Sequence, residues 1–282
     1  KKWLWQGGRA EANMTPWNFR KFDVDLSGSH VVSFEDKGGS FHFTGAAQKV
    51  LLEAEIFSDG WPEKFQLDVA GLKMSETSTK AIIAVTSAEV TSQRLFPGVE
   101  PGSIGAKTPT YTLQAKLQGV RLPSFLNLPL GHDIQELSTE LRVIGALEPS
   151  LNVQNLARWR DAGGILEVGL LEATYGTLKT HATGTVALDG NLQPLAAVSA
   201  RFQGFFPAIN KLQKAGYIRS GDAVMAKVVL GVLSKRVGKG QRSISLPLSL
   251  QDGQLSAGPA ALMAVPAIDW GEDPPPATPI KP

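Results

Sequence analysis

The stretch Ser243-Ile244-Ser245-Leu246-Pro247-Leu248-Ser249-Leu250 decides the fold class. Every even position is Ile or Leu, and every odd position is Ser or Pro. A period of two gives an extended strand one dry and one wet face, whereas helical geometry would scatter the same residues around a cylinder. Pro247 has no N–H to give to a ladder, so the strand is expected at a sheet edge or a bulge. Gln251-Asp252-Gly253 follows as a hairpin turn, with a return strand through Leu255 toward Gly258-Pro259.

Upstream, the alternation recurs through Val198, Ala200 and Phe202, and residues 165–202 read as a meander. A first strand turns near Thr174 to Gly176, a second runs through Leu188, and Asp189-Gly190-Asn191 leads into a third. Strands joined by such short turns are antiparallel. The pattern extends to Tyr111, Leu113, Ala115 and Leu117, to Phe65, Leu67 and Val69, and to Phe22, Val24 and Leu26. No alternation of strand with helix suggests a doubly wound sheet.

Helical spacing is confined to three segments. Leu151 to Asp161 follows Pro149 and Ser150 and stops at Gly163-Gly164. Pro207 to Ala215 ends at Gly216, with Phe202, Phe205 and Phe206 expected to seat it on the sheet. Asp222 to Lys235 has Asp222 as its expected N-cap and is apolar almost all round, which predicts a helix deeply buried or laid over an apolar cleft. Residues 96–105 and 122–130 are rich in proline or glycine and read as loops. The fold expected is α+β and β-rich, a strongly curved antiparallel sheet or sheets with a few helices packed on or into it. The chain divides on this reading into an N-terminal β-rich half (1–145), a C-terminal meander with helices (146–270) and a proline-rich tail (271–282).

At 282 residues the chain can bury a substantial core, and its charged fraction of 19% is low for a disordered or nucleic-acid-coating protein. The net charge of +2 steers nothing strongly. The densest basic cluster, Lys235, Arg236, Lys239 and Arg242, has no interleaved aromatics for base stacking, so no nucleic-acid partner is expected. The chain has no cysteine, hence no disulfide, thiolate metal site or cysteine nucleophile. No run approaches the ~20 apolar residues of a membrane span. Removal of a signal peptide or an N-terminal anchor would leave a first residue such as Lys1, and so would trimming for expression.

Chemistry is sparse. None of His30, His42, His132 and His181 has metal-box spacing, and His42, between Phe41 and Phe43, is expected on the wet face of a strand. His132, Asp133 and Glu136 lie close in sequence and are the best foothold for acid–base or metal chemistry, although Asp133 reads more simply as the cap of a short helical turn. G-x-S-x-G, S-x-x-K and H-E-x-x-H are all missing. Asp23, Asp25, Glu53, Glu55 and Asp68 occupy polar strand positions, the expected wet face of a sheet. No catalytic residue, metal or cofactor is expected. Trp3, Trp5, Trp17 and Phe19 cluster ahead of the first clear strand, and suit either a membrane-surface contact or a core plug.

Residues 156–270 resemble the C-terminal region of the DUF2125 family of proteobacterial envelope proteins. The resemblance is carried by Trp159 with Gly163-Gly164, by Tyr175-Gly176, by Ala182-Thr183-Gly184-Thr185-Val186-Ala187-Leu188-Asp189, by the hairpin from Asp252-Gly253 to Gly258-Pro259, and by the ending from Pro266 to Trp270. It covers less than half of the chain. The first half departs from the family's pattern: it lacks the glycine-phenylalanine-proline turn of the early strands, and Gly60-Trp61-Pro62 stands in its place. The strand style is also similar to AsmA-like and tubular lipid-binding proteins, whose curved sheets hold an apolar groove. What the resemblance implies is a periplasmic location, with an inner-membrane anchor in a segment outside this chain.

Together these readings lead to a non-catalytic, periplasmic lipid- or hydrophobe-binding or transport protein. Val186, Val229, Leu233, Leu246 and Leu248 are the expected lining of its groove, and its partners would be a lipid or other hydrophobic ligand and the envelope membrane or its proteins. The alternative is an envelope scaffold or interaction module whose interior is filled.

Overall fold

The computed structural model describes residues 2–15, 17–36, 39–99, 101–148, 150, 152–237, 241–258 and 260–270. The tail from 271 onward and the Gly238-Lys239-Gly240 turn lie outside the described residues. The first strands are β1 (Lys2–Gly7), β2 (Glu11–Thr15), β3 (Asn18–Asp25), β4 (Gly28–Asp36), β5 (Gly39–Ala47) and β6 (Lys49–Ile56). Four long strands follow: β7 (Pro62–Glu76), β8 (Ile82–Arg94), β9 (Pro109–Arg121) and β10 (Asp133–Ile144). After α1 (Val153–Asp161) come β11 (Ile165–Tyr175), β12 (Leu178–Leu188) and β13 (Pro194–Gln203), then α2 (Phe205–Lys214) and α3 (Ser220–Leu233). The chain closes with β14 (Lys235–Val237), β15 (Gln241–Gln251), β16 (Gln254–Ala257) and β17 (Ala260–Ala264).

All strands join one 17-stranded sheet, and every pairing is antiparallel. The centre is a plain meander from β7 through β13, continued by β15. The ladder between β10 and β11 carries it past residue 145 without a break. Both ends fork. One edge of β7 pairs with β6 over Pro62–Ala70 and with β5 over Lys73–Glu76, leading to the branches β6-β3-β2 and β5-β4-β1. The far edge of β15 pairs with β14 at Gln241–Ser243 and with β16 at Leu248–Gln251. Pro247 lies in the gap between those two ladders, where its missing N–H has no partner to disappoint and its carbonyl accepts from Gly258. The edge-strand expectation is met along that half of β15.

The expected strong curvature is corrected: the sheet is β-rich and antiparallel but not strongly curled. Alternation determines which side chains share a face, whereas coiling depends on twist, bulges and closure, which alternation does not encode. Among the described residues no ladder joins the β1 and β2 branches to β16 or β17. A crease crosses the long strands where Gly71 and Gly119 both take φ 59. There the apolar positions change from odd to even, Val69 to Leu72 in β7 and Leu117 to Val120 in β9, with the register kept. A residue inserted in the left-handed conformation allows an apolar face to continue across such a change.

All the strands lie in one sheet. Its buried apolar cluster around α1 sits at one end of the long strands. Val153 and Ala157 of α1 pack on Leu192 with Leu156, Leu188 and Trp270, while Trp159 donates its indole N–H to the Ile144 carbonyl at 2.9 Å. At the opposite end, Phe125 stacks on Phe41 of β5, ring centroids 5.0 Å apart.

Two helix expectations change. The cap of α3 is Arg219, with no side-chain bond, and Asp222 sits in its first turn. Nor is α3 buried: only Ala223 is, while Val224, Met225, Val228, Val229, Val232 and Leu233 are exposed. An all-round apolar helix needs two packed sides for burial, and here α2 packs on one, with Phe206 lying beside Gly231.

Candidate functional site

One face of the sheet is largely apolar, Ser92 being the polar side chain in its central row. Registered pairs give an unbroken row Met14–Phe22–Ala54–Phe65–Ser92–Leu113–Leu141–Val168. It continues through Gly184, Val198, Leu248 and Ala257. A β-bulge between Val168 and Leu171 keeps both of those side chains on this face. Most members of the row are half-buried rather than buried. In an ordinary two-layer domain such a face lies under a second sheet or a helix layer.

The face deepens into a trough of about 350 Å³ near the start of β7. Phe65, Leu113, Leu141 and Leu166 form its floor, and Trp61, Val143 and Leu147 stand around it. The loop after β10, tied down by the Trp159 bond to Ile144, places Leu147. Tyr111 adds a polar group: its hydroxyl is shielded from water and has no hydrogen-bond partner among the described residues. Burial raises the Tyr111 pKa above the usual phenol value; nearby Asp59 adds to this and Arg94 opposes it. Arg94 is itself paired with Asp59.

The opposite face is charged. It holds a larger hollow of about 420 Å³, among Lys21, Glu55, Lys64, Gln66, Thr91 and Gln114, and a smaller one of about 270 Å³ near Glu136, Glu172, His181 and Arg201. Water solvates such walls well, so a ligand gains little by displacing it. The apolar trough holds water at a cost, which makes it the site with a driving force for binding.

The structure places the sequence-derived candidates unevenly. Leu248 lies on the apolar row, Val186 pairs with the trough residue Leu166, and Leu246 pairs with Ala200 on the same face. None of the three lines the trough. Val229 and Leu233 lie on the outward side of α3, exposed to 47% and 58%. The trough residues Phe65 and Leu113 had been visible as members of strands, but their meeting depends on the β7-β8-β9 register.

The His132, Asp133 and Glu136 group also resolves differently. Asp133 caps no helical turn; it begins β10 and accepts two bonds from Arg121, at 2.6 and 3.1 Å. The Arg121 guanidinium hydrogen-bonded to it holds the Asp133 carboxyl below its usual range. Glu136 lines the smaller polar hollow. Among the described residues no group of three His, Cys, Asp or Glu could hold a metal ion. His42 is exposed on β5, its ring within hydrogen-bond distance of Ser33 and Ser40. Trp5, Trp17 and Phe19 are exposed to 48%, 90% and 74%, which excludes the core-plug reading for them; the Trp3 side chain lies outside the described residues.

Comparison with protein-family models gives one match, to the family described as "Uncharacterized protein conserved in bacteria (DUF2125)", over residues 1–266. The match reaches across the N-terminal half as well, beyond the 156–270 stretch in which the resemblance is legible. No curated protein and no solved structure matches the chain.

Proposed function

The chain belongs to the DUF2125 family, and from that premise we propose that it is a non-catalytic periplasmic protein that binds a lipid or other hydrophobe on the apolar face of its sheet. The observation that carries this reading is the apolar row, only half-buried, with its 350 Å³ trough. Leaving such a face bare costs free energy that a bound hydrocarbon recovers, about 0.8 kcal/mol for each methylene removed from water. The mechanism is shielding rather than bond making. The ligand enters at the trough among Trp61, Leu113, Leu141 and Leu147, and its remaining length lies along the row toward Val186 and Leu248. Tyr111 lines the trough, with its hydroxyl shielded from water beneath the surface.

Native mass spectrometry with organic extraction, on protein purified from its own envelope, tests the proposal. A stoichiometric lipid is the expected result. Ligand-free protein that also takes up neither fluorescent fatty acids nor phospholipids overturns it and favours a scaffold.

A further inference from the structure

Helix α3 turns its large apolar side chains outward. Val224, Met225, Val228, Val229, Val232 and Leu233 are 47–80% exposed. Their spacing of i, i+1, i+4, i+5, i+8 and i+9 spreads them over one half of the helical cylinder. The other half carries Ala223, which is buried, and Ala226, Lys227, Leu230 and Gly231, which are half-buried, with Gly231 against Phe206 of α2. Arg242 of β15 donates to the Gly231 carbonyl and holds the helix to the sheet. The helix is thus anchored on its buried side and presents its exposed apolar side to the surroundings.

The surrounding charge identifies what that side meets. From Phe205 to Arg242 the chain has eight Lys and Arg and a single acid, Asp222, a net of +7 in a protein whose total is +2. Lys214, Arg219 and Lys235 are exposed around the helix. A second copy of the chain docking here through a two-fold axis would bring two such basic segments together, which charge repulsion opposes. A helix of 14 residues is about 21 Å long, too short to cross a bilayer. It has the make-up of a helix lying in the interface, its apolar side among acyl chains and its basic flanks on anionic headgroups.

We propose that α3 docks the protein on an anionic lipid bilayer surface. This surface is separate from the trough and holds the protein at a membrane, whatever the trough carries.

Flotation with phosphatidylcholine vesicles, with and without phosphatidylglycerol, tests it. Wild-type protein is expected to float with the anionic vesicles only, and less so as salt rises. The exposed pair Val228→Asp/Val232→Asp should leave the circular dichroism spectrum unchanged and weaken binding about tenfold or more. Lys214→Glu and Arg219→Glu should each weaken it by about fivefold or more. Because the chain has no cysteine, a polarity-sensitive dye attached to Val232→Cys reports on this site alone, and its emission should shift blue on the vesicles. The proposal is overturned if the wild type stays unbound, if the aspartate pair floats as well as wild type, or if the dye keeps its aqueous emission. Dimers that form without vesicles and vanish in the aspartate pair would instead assign the surface to a second copy.

Discussion

Leu113 of β9 stands directly opposite Leu141 of β10, and the two form the middle of the trough floor. Cross-strand neighbours on one face lie close enough to share a single ligand surface. A charge on either one therefore faces whatever the trough holds. Leu141→Glu should abolish uptake of a fluorescent fatty acid, while its half-buried position lets the sheet fold with an unchanged circular dichroism spectrum. Uptake equal to wild type would remove the trough from the binding site.

The Tyr111 hydroxyl gives a test with opposite signs for stability and binding. It has no partner among the described residues, so Tyr111→Phe should leave thermal stability unchanged or slightly raised. If a ligand's polar end is the partner, affinity for a long-chain fatty acid falls by about 1 kcal/mol, roughly fivefold. Affinity for an alkane of equal length stays the same. Titration calorimetry with the two ligands separates these results.

Trp159 pins the end of the sheet beside the trough. Its indole N–H bonds to the Ile144 carbonyl, and a Cβ added at Gly164 would lie 2.3 Å from the ring. Gly164→Ala should destabilise the protein by about 1–3 kcal/mol through that overlap, and Trp159→Phe by a similar amount through the unpaired buried carbonyl. Denaturant titration measures both. Each variant should also loosen Leu147 and lower uptake.

Glu76, at the end of β7, is 2% exposed, and its carboxylate accepts from the backbone N–H and hydroxyl groups of both Thr79 and Ser78. Bonds from the Thr79 backbone, then its hydroxyl, lower the pKa from 4.5 to about 2. A carboxyl with a depressed folded pKa stabilises fully above its unfolded value and loses that contribution as pH falls through the folded one. Melting temperature should therefore drop between about pH 4.5 and pH 2. Glu76→Gln should melt lower at neutral pH and lose part of that dependence; an identical pH profile in the variant would show that other groups govern it.

The strands and turns were legible because their signals are local. In Ile244 to Leu250 side-chain parity assigns faces, and Gln251-Asp252-Gly253 reads as a hairpin turn, which the structure places at Asp252 and Gly253 with φ values of 50 and 68. The trough was not legible, because Phe65, Leu113, Leu141 and Leu166 belong to four strands and meet only through registers set across the whole sheet. Helix α3 misled for a related reason: apolar composition announces a need for cover, but not whether the fold supplies it.

From sequence alone follow an antiparallel, β-rich chain, the division of each strand into a wet and a dry face, and the three helical segments. The tertiary structure decided that the dry faces align into one row from β2 to β16, that the sheet is not strongly curled, and that α3 faces outward. Periodicity acts within a few residues through the geometry of the backbone. Register, curvature and cover are collective properties of many strands, set where distant side chains compete for the same surface.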